Sequence, residues 1–242
     1  MKVNSSSVFD LLSGLRAYFQ RDSALLKFDN DEPFLSELFS SSQLDDHAKA
    51  VAKSHKLMVR DSSDRLLKRL EDNEVSLLEV RNILVESIRD GKEITPGAEW
   101  LLDNFYLIEE QVVLARKHLP KGYSEGLPYL VNGNSAGMPR VYDIVLEIIS
   151  HSDGRVDIKS LTSFIASYQT NTILTLGELW AIPIMLRLAV LENLRRVGAM
   201  IALDMIDHNL ANYWSGRMMT TVKDEPGNLI LTIADMDGQS PY

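Results

Sequence analysis

The sequence contains no cysteine, which removes disulfides, thiolate nucleophiles and cysteine-ligated zinc or iron–sulfur centres from consideration. It also lacks any block of Lys and Arg. With 25 basic residues against 34 acidic ones and a net charge of −9, the chain has no basic footprint for a phosphate backbone, so nucleic acid is not an expected partner. Long apolar runs are missing too. The longest, Leu179 to Leu186, has eight residues, whereas a membrane-spanning helix needs roughly 20. The opening Met-Lys-Val-Asn-Ser-Ser-Ser has no apolar signal-peptide core. Neither a direct membrane span nor an export signal is expected. What remains is an acidic chain of 242 residues, 45% hydrophobic and 24% charged, enough for one large or two small globular domains.

Glycine and proline are scarce where they would matter most for a β fold. No Gly occurs from Leu15 to Asp90 and no Pro from Phe34 to Thr95, so the first third lacks the residues that punctuate turns and hairpins. Long helices are expected there. Leu66, Leu70, Leu77, Val80, Leu84 and Ile88 recur on one helical stripe ended by Gly91. Val8, Leu11, Leu12, Leu15 and Phe19 repeat the pattern near the start, and Pro33 predicts another short helix. Thr95-Pro96 is a capped helix start, followed by Leu101, Phe105, Ile108, Val112 and Ala115 as one helix stopping before Pro120. From Pro120 to Pro139 the chain concentrates four of its thirteen Gly and three of its eight Pro. A loop of that length is usually a functional or docking segment.

Val141, Ile144, Val145, Ile148 and Ile149 form the next amphipathic stripe, and Asp157 is a cap for a helix carrying Ile158, Leu161, Ile165 and Tyr168. Thr175-Leu176-Gly177-Glu178 has capping-box spacing. The helix it opens is apolar nearly all round, with Leu179, Ile182 and Leu186 on one side and Trp180, Ile184, Leu188 and Leu191 on the other. That predicts a buried central helix over about 176–210, kinked at Pro183 where a backbone donor is lost. Gly227 to Met236 fits either a short helix or a strand. The expected fold class is all-α, a multi-helix bundle, with a long-helix segment over 1–92 and a helical core module over 93–242 forming one compact unit.

Several constellations suggest chemistry. Gly133-Asn134-Ser135-Ala136-Gly137 fits the G-x-S-x-G nucleophile elbow, but that motif needs a strand before it and a helix after it on a parallel sheet. Only Tyr129 to Val131 could supply the strand, so a plain loop is the preferred reading and no catalytic residue is assigned. His47 and His55 sit eight residues apart beside Asp45 and Asp46, and His151 and Asp153 share a turn. The eight-residue spacing is not the step of three or four that metal sites on helices use, and the turn pair is read as lacking a second ligand at metal spacing, so solvated histidines and no metal are expected. Glu99, Asp103, Glu109 and Glu110 lie with Trp100 and Tyr106 on one predicted helix, the residue types of a glycan-binding or glycosidic site, although a solvated acidic face explains most of them. Arg187, on the apolar helix, is expected to be buried and to form a structural ion pair with an acid of the 99–110 helix.

Ile94-Thr95-Pro96-Gly97-Ala98-Glu99-Trp100-Leu101-Leu102-Asp103-Asn104-Phe105, Ile108-Glu109-Glu110-Gln111 and Leu119-Pro120-Lys121-Gly122-Tyr123 resemble the N-terminal region of bacterial cyclic β-1,2-glucan synthases. So do Gly137-Met138-Pro139-Arg140-Val141-Tyr142, His151-Ser152-Asp153-Gly154-Arg155, Leu176 to Pro183 and Glu192 to Arg196, in the same order and spacing. The resemblance is strongest over 93–197. It implies a large inner-membrane glycosyltransferase, with UDP-glucose as donor and a divalent metal, that builds and cyclises β-1,2-glucan. The family's catalytic residues have no matching positions here. The expected function is therefore a non-catalytic module on the cytoplasmic side of that membrane, a fragment of a longer chain, contacting the parent's other domains or β-1,2-glucan. Trp100, Asp103, Glu109, Glu110, Arg140, Tyr142, Glu178 and Trp180 are its candidate carbohydrate or docking surface. The alternative is a stand-alone glycan-binding or glycan-active protein using the carboxylates of the 99–110 helix.

Overall fold

The computed structural model describes residues 33–34, 37–58, 65–152 and 154–239. The stripe expected from Val8 to Phe19 and the turn residue Asp153 lie outside the described residues. The fold is all-α, with eight α-helices among the described residues and one two-stranded antiparallel sheet. Helix α1, Ser41–Ser54, opens on a capping box in which the Ser40 side chain and Gln43 satisfy each other's backbone donors. Pro33 is not followed by the expected helix: residues 33–34 and 37–40 are non-helical, and among the described residues the first helix begins at Ser41, where a capping side chain is available. Helix α2, Arg65–Arg89, buries Leu66, Leu70, Leu77, Val80 and Leu84 as the stripe predicts, although Ile88 in its last turn is exposed. Gly91, at φ +70°, ends it in the left-handed conformation that glycine adopts at least cost.

The helix expected from Thr95 to Ala115 is two helices, α3 (Pro96–Asp103) and α4 (Phe105–His118). The break has a local cause. Asn104 sits at φ −103° and ψ 9° and donates its side-chain amide to the Trp100 carbonyl at 2.8 Å, a side-chain bond that competes with the helical ladder. Beyond α4, the glycine-rich loop carries strand β2, Tyr129–Leu130, which pairs with β1, Leu57–Met58, in the register Leu57↔Leu130 and Met58↔Tyr129. Asn132 ties the same loop to the end of α1, accepting from the Lys56 amide at 2.9 Å and donating to the Ser54 carbonyl at 3.0 Å. The loop therefore docks within this chain.

Helix α5 (Arg140–Ser150) and α6 (Ile158–Gln169) follow, the latter capped by Asp157 as its sequence predicts, with the Ser160 amide 2.9 Å from the carboxylate. Helix α7 runs from Leu176 to Asp224, 49 residues or roughly 73 Å at 1.5 Å per residue, well past the expected end near 210. Its Thr175/Glu178 capping box is formed, and Pro183 lies inside it on the exposed side. A 3₁₀ turn, Pro226–Asn228, reverses the chain into α8, Leu229–Gln239, which lies against the end of α7. Gly227 to Met236 is thus helical.

Two apolar cores meet on α5. Its Val141, Val145 and Ile149 join a large core with α2, α3, α4 and α7, and its Ile144 and Ile148 join a smaller one with Leu44, Ala48 and Val51 of α1 and Phe164 and Tyr168 of α6. A helix buried on two faces has only a narrow stripe left for polar groups. That stripe makes the candidate site.

Candidate functional site

Asp143, Glu147 and His151 step by four along α5, so they line one face, and the facing helix α1 offers His47 and, at its C-cap, His55. The eight-residue spacing of the two histidines fits because each meets a different turn of α5. His55 Nε2 donates to Asp143 Oδ2 at 2.9 Å, and its Nδ1 accepts from the Tyr168 hydroxyl at 2.8 Å. His47 Nε2 lies 2.7 Å from Glu147 Oε2. Neither histidine is the free, solvated residue that the sequence suggested: each is bonded to a carboxylate of α5, and His55 is only 6% exposed at its side chain. Their partners stand about 100 positions away, beyond the reach of any local pattern.

From His55 the polar chain continues inward. Burial pushes the Tyr168 phenol up against the opposing pull of Arg140, so the hydroxyl stays protonated and serves as a donor. The Arg140 guanidinium beside it donates to both Glu178 oxygens, Nε at 2.5 Å and Nη2 at 2.8 Å, and Nη2 also reaches the Ile173 carbonyl at 2.8 Å. Glu178 is 0% exposed. Burial pushes its carboxyl up, but the Arg140 fork and the Thr175 donors outweigh that and hold it below its usual range. Asp143, His55, Tyr168, Arg140 and Glu178 thus connect α5, α1, α6 and the start of α7 through groups with almost no access to solvent. Such a string locks helix positions and offers little room for a substrate.

A second buried carboxylate lies about four turns further along α7, on nearly the same face as Glu178. Glu192, 0% exposed, receives Arg69 Nη2 at 2.6 Å and Nε at 3.0 Å, Arg195 at 3.2 Å and Arg196 at 3.1 Å. Burial pushes it up, yet the three guanidiniums win and hold it at about 2. Tyr142 is buried near this group, and burial followed by the charge of Glu192 pushes its phenol up.

The expected surface residues separate into two sets. Arg140, Tyr142 and Glu178 are interior. Trp100, Asp103, Glu109, Glu110 and Trp180 are exposed, the tryptophans at 58% and 74%. Asp103 and Glu110 do not share one helix, because the break at Asn104 separates them, and Glu109 faces Arg81 at 3.8 Å. Arg187 is only half-buried, and its guanidinium meets His118 at 3.2 Å rather than an acid of residues 99–110. Ser135 lies in a loop that folds back on itself, with Gly137 N donating to the Leu130 carbonyl at 2.7 Å, and not in a strand–turn–helix elbow.

Two features escaped the sequence reading. Asp235-Met236-Asp237 has Asp-x-Asp spacing near the end of α8, where Asp235 meets Arg217 at 3.2 Å. Glu147 and His151 stand at the four-residue step of a metal site, and with His47 they place three ligand atoms within 4.8 Å of one another. These three residues are the described group able to hold a metal.

No family model matches the chain. The cyclic beta-(1,2)-glucan synthase NdvB of Rhizobium meliloti (strain 1021) is 34% identical over 129 residues, which are 53% of this chain and 4% of that protein. Over about half its length, the chain is similar to a short segment of a cyclic β-(1,2)-glucan synthase.

Proposed function

We propose that the chain is a non-catalytic helical module of a cyclic β-1,2-glucan synthase, acting as a docking surface for the sugar-transferring part of that enzyme or for its nascent glucan. One contrast carries the reading. Arg140, Glu178, Glu192 and His55 are engaged by internal partners, while Ile173, Leu176 and Trp180 stand outward at 79%, 63% and 74% exposure around the start of α7. Exposed apolar side chains that include a flat indole suit a protein face or the apolar face of a sugar ring. Trp100, flanked by Asp103, offers a second indole. In this reading the donor UDP-glucose, a divalent metal and the inner-membrane location belong to the parent enzyme. Among the described residues no helix is long and apolar enough to cross a membrane.

The test is to titrate the chain with β-1,2-glucooligosaccharides, following tryptophan fluorescence and product formation, and to assay its association with the remainder of the synthase expressed separately. Binding without turnover, or association with the remainder, either one weakened at least 10-fold by Trp180→Ala or Trp100→Ala, supports the module. Turnover by the chain alone overturns it, as does the absence of both interactions.

A further inference from the structure

We infer that His47, Glu147 and His151 form a site for a divalent transition metal, with zinc the best fit, pinning α1 to the C-terminal end of α5. The inference departs from the sequence expectation of no metal and is independent of the proposed function. The donor set is two imidazoles and one carboxylate, a combination that suits zinc and leaves one position open. Tetrahedral zinc with bonds of about 2.0–2.1 Å places its ligand atoms about 3.4 Å apart. The observed separations bracket that value. His47 Nε2 is 2.7 Å and His151 Nε2 3.8 Å from the same Glu147 oxygen.

A separate observation points to a cation. His151 Nδ1 lies 2.9 Å from the Glu37 carbonyl, and since a carbonyl only accepts, Nδ1 carries the proton. In the neutral ring Nε2 then holds a bare lone pair facing a carboxylate, an arrangement that a cation between them stabilises. A metal-binding imidazole whose other nitrogen donates to a carbonyl is the outer-shell arrangement that fixes ring orientation and tautomer. Phe39 completes the setting, stacked on the His151 ring at 3.9 Å and 6° and edge-on to His47 at 5.3 Å. Both rings are thereby held while the side chains stay partly open to solvent, from 12% for His151 to 33% for Glu147, which gives an ion its route in. On binding, the ion displaces the proton of His47 Nε2, which leaves to solvent or moves to Nδ1.

The chain, freed of any affinity tag and stripped with a chelator, is titrated with Zn²⁺ by calorimetry and by competition with a chromophoric chelator, with Co²⁺ as a spectroscopic probe. One equivalent per chain is expected, with a Co²⁺ visible spectrum of four- or five-coordinate type and a rise in Tm. Glu147→Gln and His151→Ala should each weaken Zn²⁺ by more than the roughly 10–100-fold that loss of an outer-shell partner costs, and abolish the Tm rise. If His151→Ala fails to fold by circular dichroism, Glu147→Gln and His47→Gln, which keep side-chain size, decide the matter. No stoichiometric uptake by the folded wild-type chain, or uptake unchanged in the folded variants, overturns the site.

Discussion

From Leu176 to Ile206, helix α7 is enclosed by α2, α3, α4 and α5 and buries every one of its buried residues except Trp214; from Asp207 to Asp224 the same helix touches chiefly α8. The helix runs unbroken through both halves, and the one ladder donor lost, at Pro183, falls in the inner half, so the ladder is not what makes that half the firmer one. The inner half is held by apolar burial and two buried ion-pair centres. The outer half is held by the Trp214 packing against Tyr213 and Arg217, the Arg217–Asp235 pair at 3.2 Å and the Thr221–Thr232 contact at 3.3 Å. Exposed pairs of that kind contribute about 0–1 kcal/mol each. A helix can therefore be uniform in geometry and very uneven in stability.

The sharpest way to break this contrast is a proline in each half. Ala199→Pro removes an inner ladder bond at a buried position and adds volume to a filled core, costing about 3 kcal/mol or more for the backbone alone against a typical total of 5–15. Loss of cooperative unfolding in urea is expected. Gly216→Pro makes the same backbone lesion where nothing lies within 4 Å of the added carbon. It should leave the main unfolding transition in place while amides of residues 216–236 lose hydrogen-exchange protection. Equal loss of the main transition in both variants would refute the division of α7 into two regimes.

Next in size is the Glu192 centre. Removing the carboxylate in Glu192→Gln leaves three guanidiniums around a neutral group, and breaking such a buried centre costs about 3–5 kcal/mol. The acid dependence has a definite sign. A carboxyl held at about 2 when folded, against an ordinary 4.5, contributes stability that is fully present above about 4.5 and is lost as pH falls from there through about 2, on the order of 3 kcal/mol in all. Urea midpoints between pH 6 and pH 2.5 should fall less steeply in Glu192→Gln than in wild type. Parallel slopes would mean that other carboxylates govern acid unfolding.

Legibility from sequence follows the range of the interaction. The α2 stripe and the caps at Thr95, Asp157 and Thr175 could be read because each is decided within four residues. Glu178 was readable as half of a capping box, but its burial under Arg140, 38 positions away, was not. The seam of α1 and α5 joins residues about 100 apart, and no periodicity encodes which two amphipathic faces will meet. Asn104 looks ordinary in a helix until its side chain is seen bonding back to Trp100. The local half of the zinc set, Glu147 and His151, was open to view in the sequence. It drew no notice because its third member, His47, belongs to another helix.

The smallest expected effect lies at the outer edge of the inner half. Trp180 is two residues beyond the fully buried Glu178 yet 74% exposed, pointing away from the side of α7 that the core encloses. If its exposure serves binding, Trp180→Ala should change the unfolding free energy by no more than about 0.5 kcal/mol, as for surface substitutions generally, since few packing contacts are lost and alanine is the better helix former. The neighbouring Ala181→Trp should be severely destabilising, because Ala181 is 0% exposed and an indole there has to displace packed side chains. A loss above about 1.5 kcal/mol for Trp180→Ala would show the indole to be a structural part of this chain, and the exposed apolar side chains at the start of α7 would no longer count as a free docking face.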